Sequence, residues 1–152
     1  MSQIHDHLGR LLRKAARAFE AELTVQLQAR GYPDIRPGHG ALFANLDAAG
    51  TRAYELARRA RMTQPSMAEL IDDLEQKGYV VRREDPSDRR GRLVVPTERG
   101  LRHLEDARAI IAEIEHSWLE RLGPNQGEAL LEALRQLAED RSSTDRSLQR
   151  PH

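Results

Sequence analysis

The 152-residue sequence contains no cysteine, so disulfide bonds, thiolate chemistry and switches based on cysteine oxidation are excluded. No segment approaches the roughly 18 consecutive apolar residues that a membrane-spanning helix needs. The first residues, MSQIHDHLGRLLRK, lack the apolar stretch and cleavage pattern of a secretory signal. These absences predict a cytoplasmic protein without a membrane partner.

Motifs for catalysis and for metal binding are also missing. The sequence has no nucleophile elbow, no phosphate-binding glycine loop and no paired catalytic carboxylates. His5, His7, His103 and His116 lack cysteine or carboxylate partners at metal-ligand spacing, so we expect them to face solvent. We therefore expect no metal, no cofactor and no enzymatic activity. An enzyme whose site forms only at a dimer interface is a rival that no residue pattern supports.

Charge is balanced overall, with 24 basic and 24 acidic residues. Only Lys14 and Lys77 are lysines, so the chain is rich in arginine and any single arginine is weak evidence of function. The middle of the chain is mildly basic and its end is acidic, so the neutral total does not exclude a nucleic-acid partner.

Apolar residues at three- and four-residue spacing predict a mainly α-helical protein with one small β-hairpin. Long helices are expected over residues 6–30 and 98–122, and a last helix to about Asp140. A second helix should run from near Gly38 through Ala49. The polar residues 141–152 predict a disordered tail.

Residues 51–78 predict two short helices joined by a turn, the spacing of a helix-turn-helix. In the first helix, Thr51 is the candidate N-cap. Its predicted inward residues are Tyr54, Leu56, Ala57 and Ala60. In the second helix, Thr63 is the candidate N-cap and Gly78 the stop. The predicted inward residues there are Met67, Leu70, Ile71 and Leu74.

After Gly78, two β-branched segments flank the turn residues DPSDRRG and predict a β-hairpin, and Thr97 then caps the long helix. The run from Glu55 to Gly100 resembles the MarR family of winged helix-turn-helix transcription regulators. The matching wing and helix-start residues are Asp85, Pro86, Asp88, Arg89, Arg90, Thr97 and Gly100. Pro96 stands where that family usually has leucine.

The resemblance implies one MarR-like domain over residues 1–152, which forms a homodimer. Helices over 6–30 and 98–140 would form the dimer interface, and residues 36–97 the winged DNA-binding lobe. The N-terminal turn of a recognition helix approaches base edges in the major groove of double-stranded DNA. The candidate contacts on this helix and before it are Arg61, Thr63, Gln64, Pro65 and Ser66.

Two acids on the outward face of the same helix, Glu69 and Asp72, would repel phosphates. Either of them accepts a hydrogen bond from a cytosine amino group or lies outside the DNA footprint, and the sequence does not decide between these possibilities.

In the wing, the resemblance makes Arg90 the residue that enters the minor groove, and Asp88 the residue that shapes the tip by pairing with an arginine. Arg89 and Arg92 are the expected phosphate contacts. Taken alone, DPSDRRG favours the interpretation as a solvated turn in a chain rich in arginine. Its position after a helix-turn-helix favours DNA binding.

The resemblance also implies an effector pocket between the dimer helices and the winged lobe. Tyr32, His39 and Phe43 are candidates to line it, and Arg13 to meet an anionic ligand, with core packing and helix capping as their alternative roles. Without cysteine, a small and aromatic effector is favoured over oxidation. The sequence thus predicts a homodimeric repressor that binds a pseudo-palindromic operator and is released by a small molecule. A winged-helix protein-interaction module with weak DNA affinity is the alternative, because the net charge is zero and the predicted recognition helix carries acids.

Overall fold

A computed structural model describes residues 6–147, with side chains as far as residue 139. Within that range the helices are α1 (Leu8–Ala29), α2 (Gly40–Phe43), α3 (Ala53–Ala60), α4 (Gln64–Gln76), α5 (Glu98–Leu122) and α6 (Pro124–Ser147). A 3-10 turn at Pro37–His39 precedes α2. The strands are β1 (Thr51–Arg52), β2 (Val80–Asp85) and β3 (Asp88–Pro96). The predicted fold class, mainly α-helical with a small hairpin, is confirmed.

The described chain divides into two compact units within α5. The unit up to Ile111 contains α1 to α4, the sheet and the first part of α5. Its fully buried side chains include Leu42, Leu56, Met67, Ile71, Leu74, Tyr79, Val80, Val94 and Ile110. The unit from Ala112 onward consists of the end of α5 and of α6. Among the described residues, no helix is long and apolar enough to cross a membrane.

The sheet has the order β1-β3-β2 with antiparallel pairs, so the predicted hairpin carries a third strand. That strand begins at Thr51, which pairs with Val94. The predicted N-cap role of Thr51 is therefore wrong. Its hydroxyl accepts the N–H of Asp47 at 2.9 Å, and α3 begins after Arg52 without a side-chain cap.

The second helix is much shorter than predicted. It ends at Phe43 and not at Ala49. Asn45 donates a side-chain hydrogen bond to the carbonyl of Ala41 at 2.8 Å, which satisfies one of the last helical acceptors. In α3, Tyr54 is 55% exposed, so its predicted inward position is wrong. It lies about 200° around the helix from the buried Leu56.

The recognition helix α4 begins and ends as predicted. The Thr63 hydroxyl accepts the N–H of Ser66 at 3.2 Å, and Gly78, with φ of +80°, follows the last turn. Of the predicted inward residues, Met67, Ile71 and Leu74 are buried and Leu70 is half-buried. The turn before α4 passes through Arg61, whose φ of +53° is left-handed and therefore strained for a residue with a Cβ.

The start of α5 lies directly against the segment that joins α4 to β2. The Thr97 hydroxyl accepts the N–H of Gly100 at 3.1 Å and donates to the carbonyls of Gly78 at 2.6 Å and Tyr79 at 3.1 Å. A Cβ on Gly100 would overlap the carbonyl oxygen of Tyr79. The Thr-x-x-Gly pattern thus combines a helix cap with a close approach of two backbones.

The helix α5 ends at Leu122 as predicted, and Gly123, with φ of +81°, separates it from α6. The last helix extends beyond the predicted end near Asp140 to Ser147. The predicted disordered tail is therefore helical as far as Ser147. Residues 148–152, and His5 at the other end, lie outside the described residues.

We expect Gly100→Ala to lower the free energy of unfolding by at least about 2 kcal/mol, because the added methyl group must displace the backbone at Tyr79. Urea unfolding measures this. The control is Gly40→Ala, where a Cβ meets nothing within 4 Å and φ is −56°, so stability should stay within about 0.5 kcal/mol or increase. Equal stabilities of the two variants would contradict the close approach.

Candidate nucleic-acid interface

The tip of α4 presents three exposed side chains, Gln64, Pro65 and Ser66. Its capacity to hold a phosphate is smaller than the sequence suggests. Thr63 takes the N–H of Ser66 and donates its own hydroxyl to the Ser66 hydroxyl at 2.8 Å, while Pro65 has no N–H. Among the described residues of this first turn, the backbone N–H of Gln64 is the one left free for an anion.

The acids of α4 differ in their surroundings. Arg82 on β2 binds Asp72 at 2.6 Å and also pairs with Glu75, whose carboxylate accepts the backbone N–H of Arg82 at 3.2 Å. Asp73 is bound by Lys77 at 2.8 Å and by a histidine of the preceding segment. Glu69 is exposed and has no partner in the described part of the chain.

The wing, defined as residues 80–96, has a tighter turn than predicted. Asp85 pairs with Asp88 across the turn, so only Pro86 and Ser87 lie between the strands, and Arg89 and Arg90 belong to β3. Arg89, Arg90 and Arg92 are exposed, and their guanidinium groups have no partner within residues 6–139. These three arginines thus present positive charge that the described part of the chain does not compensate by an ion pair.

Asp88 is held by Arg52 of β1 at 3.2 Å and accepts the backbone N–H of Arg90 at 3.0 Å. Arg52 binds Asp85 more closely, with Nη2 at 2.7 Å and Nε at 3.0 Å. Hydrogen bonds from Ser87 and then from Arg52 lower the pKa of Asp85 to about 2. The wing tip is therefore fixed by an arginine outside the hairpin.

Sequence reasoning missed the contribution of Arg52. It lies 33 residues from Asp85, in a two-residue strand that has no periodicity of its own. A Cβ on Gly91 would overlap the Arg52 guanidinium, so the glycine makes room for this side chain. The glycine within the strand was the one local signal that another group approaches closely.

Behind the winged elements, four rings form an aromatic cluster, which consists of Tyr32, Phe43, Tyr79 and His103. The His103 ring lies 4.2 Å from that of Phe43, 5.1 Å from that of Tyr32 and 5.5 Å from that of Tyr79. The cluster joins α5 to α2 and to the chain segments that follow α1 and α4. Tyr32 and Phe43, two of the predicted effector residues, are thus brought together in the interior.

The two tyrosines of the cluster are tied to carboxylates. Tyr32 donates to Asp106 at 2.6 Å, and burial followed by this bond raises the pKa of its hydroxyl to about 12. Tyr79 donates to Asp34 at 2.6 Å, and Arg99 lies 4.3 Å from the centre of its ring. Both hydroxyl groups are therefore neutral donors at physiological pH.

The other two predicted effector residues have different surroundings. His39 is buried, its Nδ1 accepts the N–H of Arg36 at 3.0 Å, and its Nε2 lies 2.6 Å from Asp73. Because Nδ1 is an acceptor, Nε2 carries the hydrogen and donates it to Asp73. Arg13 is exposed on α1, about 21 Å along the helix from Leu27 beside the 3-10 turn, and does not join the cluster.

His103 corrects a prediction, because it is 2% exposed rather than solvent-facing. Neither of its ring nitrogens has a hydrogen-bond partner in the described structure. Burial lowers the pKa of its imidazole to about 4. In the part of the chain that the structure describes, no group of histidines and carboxylates is arranged to hold a metal ion.

Known proteins with similar sequences agree with this winged-helix geometry. A profile described as MarR family matches residues 34–91, which include α2 to α4 and most of the wing. The chain is 29% identical over 106 residues to the Escherichia coli transcriptional regulator HosA, an alignment that covers 69% of the chain and 78% of HosA. The chain therefore resembles the MarR family of transcriptional regulators, with the profile match confined to residues 34–91.

Two solved structures extend the likeness over most of the length of the chain. CouR from Rhodococcus jostii RHA1, bound to p-coumaroyl-CoA, has a TM-score of 0.72 and 25% identity, with 91% of this chain and 94% of CouR covered. The transcriptional repressor CouR bound to a 23-mer DNA duplex has a TM-score of 0.71 and 28% identity, with 91% and 96% covered. The winged-helix fold is therefore shared across the described elements.

The buried imidazole of His103 gives a pH prediction. An unfolded imidazole has a pKa near 6.5, so between pH 6.5 and about 4 the unfolded chain binds a proton that the folded chain does not. The free energy of unfolding should therefore decrease as the pH is lowered through this window, and His103 should account for up to about 3 kcal/mol of that decrease. We expect His103→Phe to be more stable than the wild type at pH 4.5, with a smaller advantage at pH 7.

Chemical denaturation at a series of pH values measures this difference. His116→Phe is the control for the loss of a histidine, because His116 is exposed. A parallel loss of stability in the wild type and in His103→Phe would mean that His103 is not the buried neutral group.

Proposed function

We propose that the chain acts as a homodimeric, DNA-binding repressor of transcription at a pseudo-palindromic operator, from which a small molecule releases it. The observation that carries the proposal is the partner-free row of Arg89, Arg90 and Arg92 on the wing, in the same lobe as the exposed tip of α4. CouR, which shares the fold, is a transcriptional repressor with a structure on a DNA duplex.

The proposed contacts divide by chemistry. Gln64 can bind adenine through two hydrogen bonds, Pro65 can touch a thymine methyl group, and Ser66 can donate or accept. Arg90 enters the minor groove, where narrow A·T-rich sequence concentrates negative potential. Phosphate contacts are assigned to Arg61, Thr63, Arg89 and Arg92. Asp88 acts through the wing shape that Arg52 supports.

The alternative function, a protein-interaction module with weak DNA affinity, rested on neutral charge and on the acids of α4. The pairing of Asp72 and Glu75 with Arg82, and of Asp73 with Lys77, removes most of that negative charge from the helix surface. The wing arginines have no such partners. The balance of free charge in the lobe therefore favours DNA.

Dimer formation is proposed from apolar surface that a single chain leaves exposed. On α1, Leu8 is 65%, Leu11 45% and Leu12 39% exposed. On α6, Leu130, Leu134 and Leu137 are 43%, 38% and 53% exposed. Burying one leucine contributes about 1.5–3 kcal/mol, so a second copy covering these faces would stabilise the pair. The dimerisation helices are thus proposed over residues 6–30 and 98–140, and the DNA-binding lobe over 36–97.

A dimer places two recognition helices in successive major grooves when they lie about 34–36 Å apart. An effector that binds one spacing better than another shifts the population between binding and non-binding dimers. The proposed effector is small and aromatic, and Tyr32, His39 and Phe43 are its candidate contacts. Arg13, about 21 Å along α1 from Leu27, is too distant to meet an anionic group of the same small molecule within one chain. CouR has a structure with the aromatic thioester p-coumaroyl-CoA. Screening aromatic acids and thioesters for release of bound DNA tests this part.

For the dimer, we expect Leu12→Glu to raise the dissociation constant at least about 100-fold, because a charge would replace a leucine that the proposed dimer buries. Sedimentation equilibrium measures it. Lys14→Gln is the control, since it changes the net charge by the same amount on another face of α1 and should leave the dimer intact. Dissociation constants that agree within twofold for wild type and Leu12→Glu would remove this face of α1 from the interface.

For DNA binding, an operator is first selected from random duplexes with the wild-type protein. We expect Arg90→Ala to weaken binding to it at least about 10-fold and to reduce the salt slope by about one ion, while the dimer stays folded. Arg108→Ala is the control, because Arg108 is an exposed arginine of α5 without a partner in the described chain, and its loss should change affinity less than twofold. Unchanged affinity of Arg90→Ala would exclude the wing from the complex.

A further inference from the structure

Glu69 differs from every other acid of the recognition helix. Asp72 and Glu75 share the guanidinium of Arg82, and Asp73 lies between Lys77 and a buried histidine. These three carboxylates are already compensated within the fold. Glu69 is exposed and has no cation or donor beside it in the described part of the chain.

The position of Glu69 places it with the reading residues rather than with the paired acids. It follows Ser66 by three residues and Pro65 by four, so the three side chains lie on one face of α4 about one turn apart. The opposite face is fixed by the buried Met67, Ile71 and Leu74. Any approach of the α4 tip to base edges therefore brings the Glu69 carboxylate towards the groove as well.

A carboxylate in that position has one favourable kind of contact with DNA. Near phosphates it is repelled, and on losing water it costs free energy unless a donor replaces the water. In the major groove, exocyclic amino groups are the donors on base edges, and the amino group of cytosine is the partner that glutamate and aspartate accept from. The chemistry of the free acid thus selects a cytosine.

We propose that Glu69 determines part of the operator sequence by accepting a hydrogen bond from a cytosine amino group in each half-site. The inference rests on the proposed function, since it requires α4 to lie in a major groove. It also gives different roles to Glu69 and Asp72, the two acids on the outward face of α4. Glu69 reads a base, and Asp72, bound at 2.6 Å by Arg82, supports the junction between α4 and the wing.

The experiment is selection of bound duplexes from a random pool with four proteins: wild type, Glu69→Gln, Glu69→Ala and Asp72→Asn. Asp72→Asn is the matched control, because it removes the same charge from an acid that the fold already pairs. We expect the wild type and Asp72→Asn to select C·G at one fixed position of each half-site. Glu69→Gln should select A·T there, because glutamine binds adenine, and Glu69→Ala should accept any base.

Affinities for operators that differ at that position give the magnitude. The wild type should prefer cytosine about 5- to 100-fold, and Glu69→Ala less than twofold. Identical selected sequences for wild type and Glu69→Gln would overturn the inference, as would a gain in affinity of Glu69→Gln that is equal on all sequences. If the wild type selects no sequence while Arg90→Ala leaves its non-specific affinity unchanged, the proposed function itself fails, and this inference fails with it.

Discussion

The hydrogen bonds from Thr97 to the carbonyls of Gly78 and Tyr79 hold three elements of the lobe at one point. At Gly78 the recognition helix has just ended, at Tyr79 the first wing strand is about to begin, and at Thr97 the last strand passes into α5. Gly100 lets these backbones meet without a side chain between them. Because the ring of Tyr79 is also buried in the aromatic cluster, the orientations of recognition helix, wing and α5 depend on the same few atoms.

Arginine content by itself carries little information in this chain, and the partners of each arginine carry more. Arg52 fixes the wing tip through Asp85 and Asp88, and Arg82 fastens the wing to α4. These residues act within the fold, whereas the exposed arginines of β3 have no partner in the described structure. A surface that is neutral in total can thus present free positive charge at one edge, because its acids are compensated locally.

The elements that sequence patterns predicted well are those with a local cause. The cap at Thr63, the stop at Gly78 and the start of α5 at Thr97 each depend on residues within four positions along the chain. The features that were missed depend on distant partners. The strand at Thr51 exists because Val94 pairs with it, and His103 is interior because three rings from other segments surround it. Burial of a single polar residue on a helix has no periodic signal.

The unsatisfied imidazole of His103 has a consequence for the energy landscape of the lobe. A buried polar ring without a partner raises the free energy of the packing that contains it, relative to any packing in which the ring finds one. The difference in free energy between the observed packing and such an alternative packing is smaller by that amount. When the two packings differ less in free energy, a bound molecule needs a smaller preference for one of them to shift the population towards it. The interior is thereby frustrated at His103, where α5 meets the winged elements.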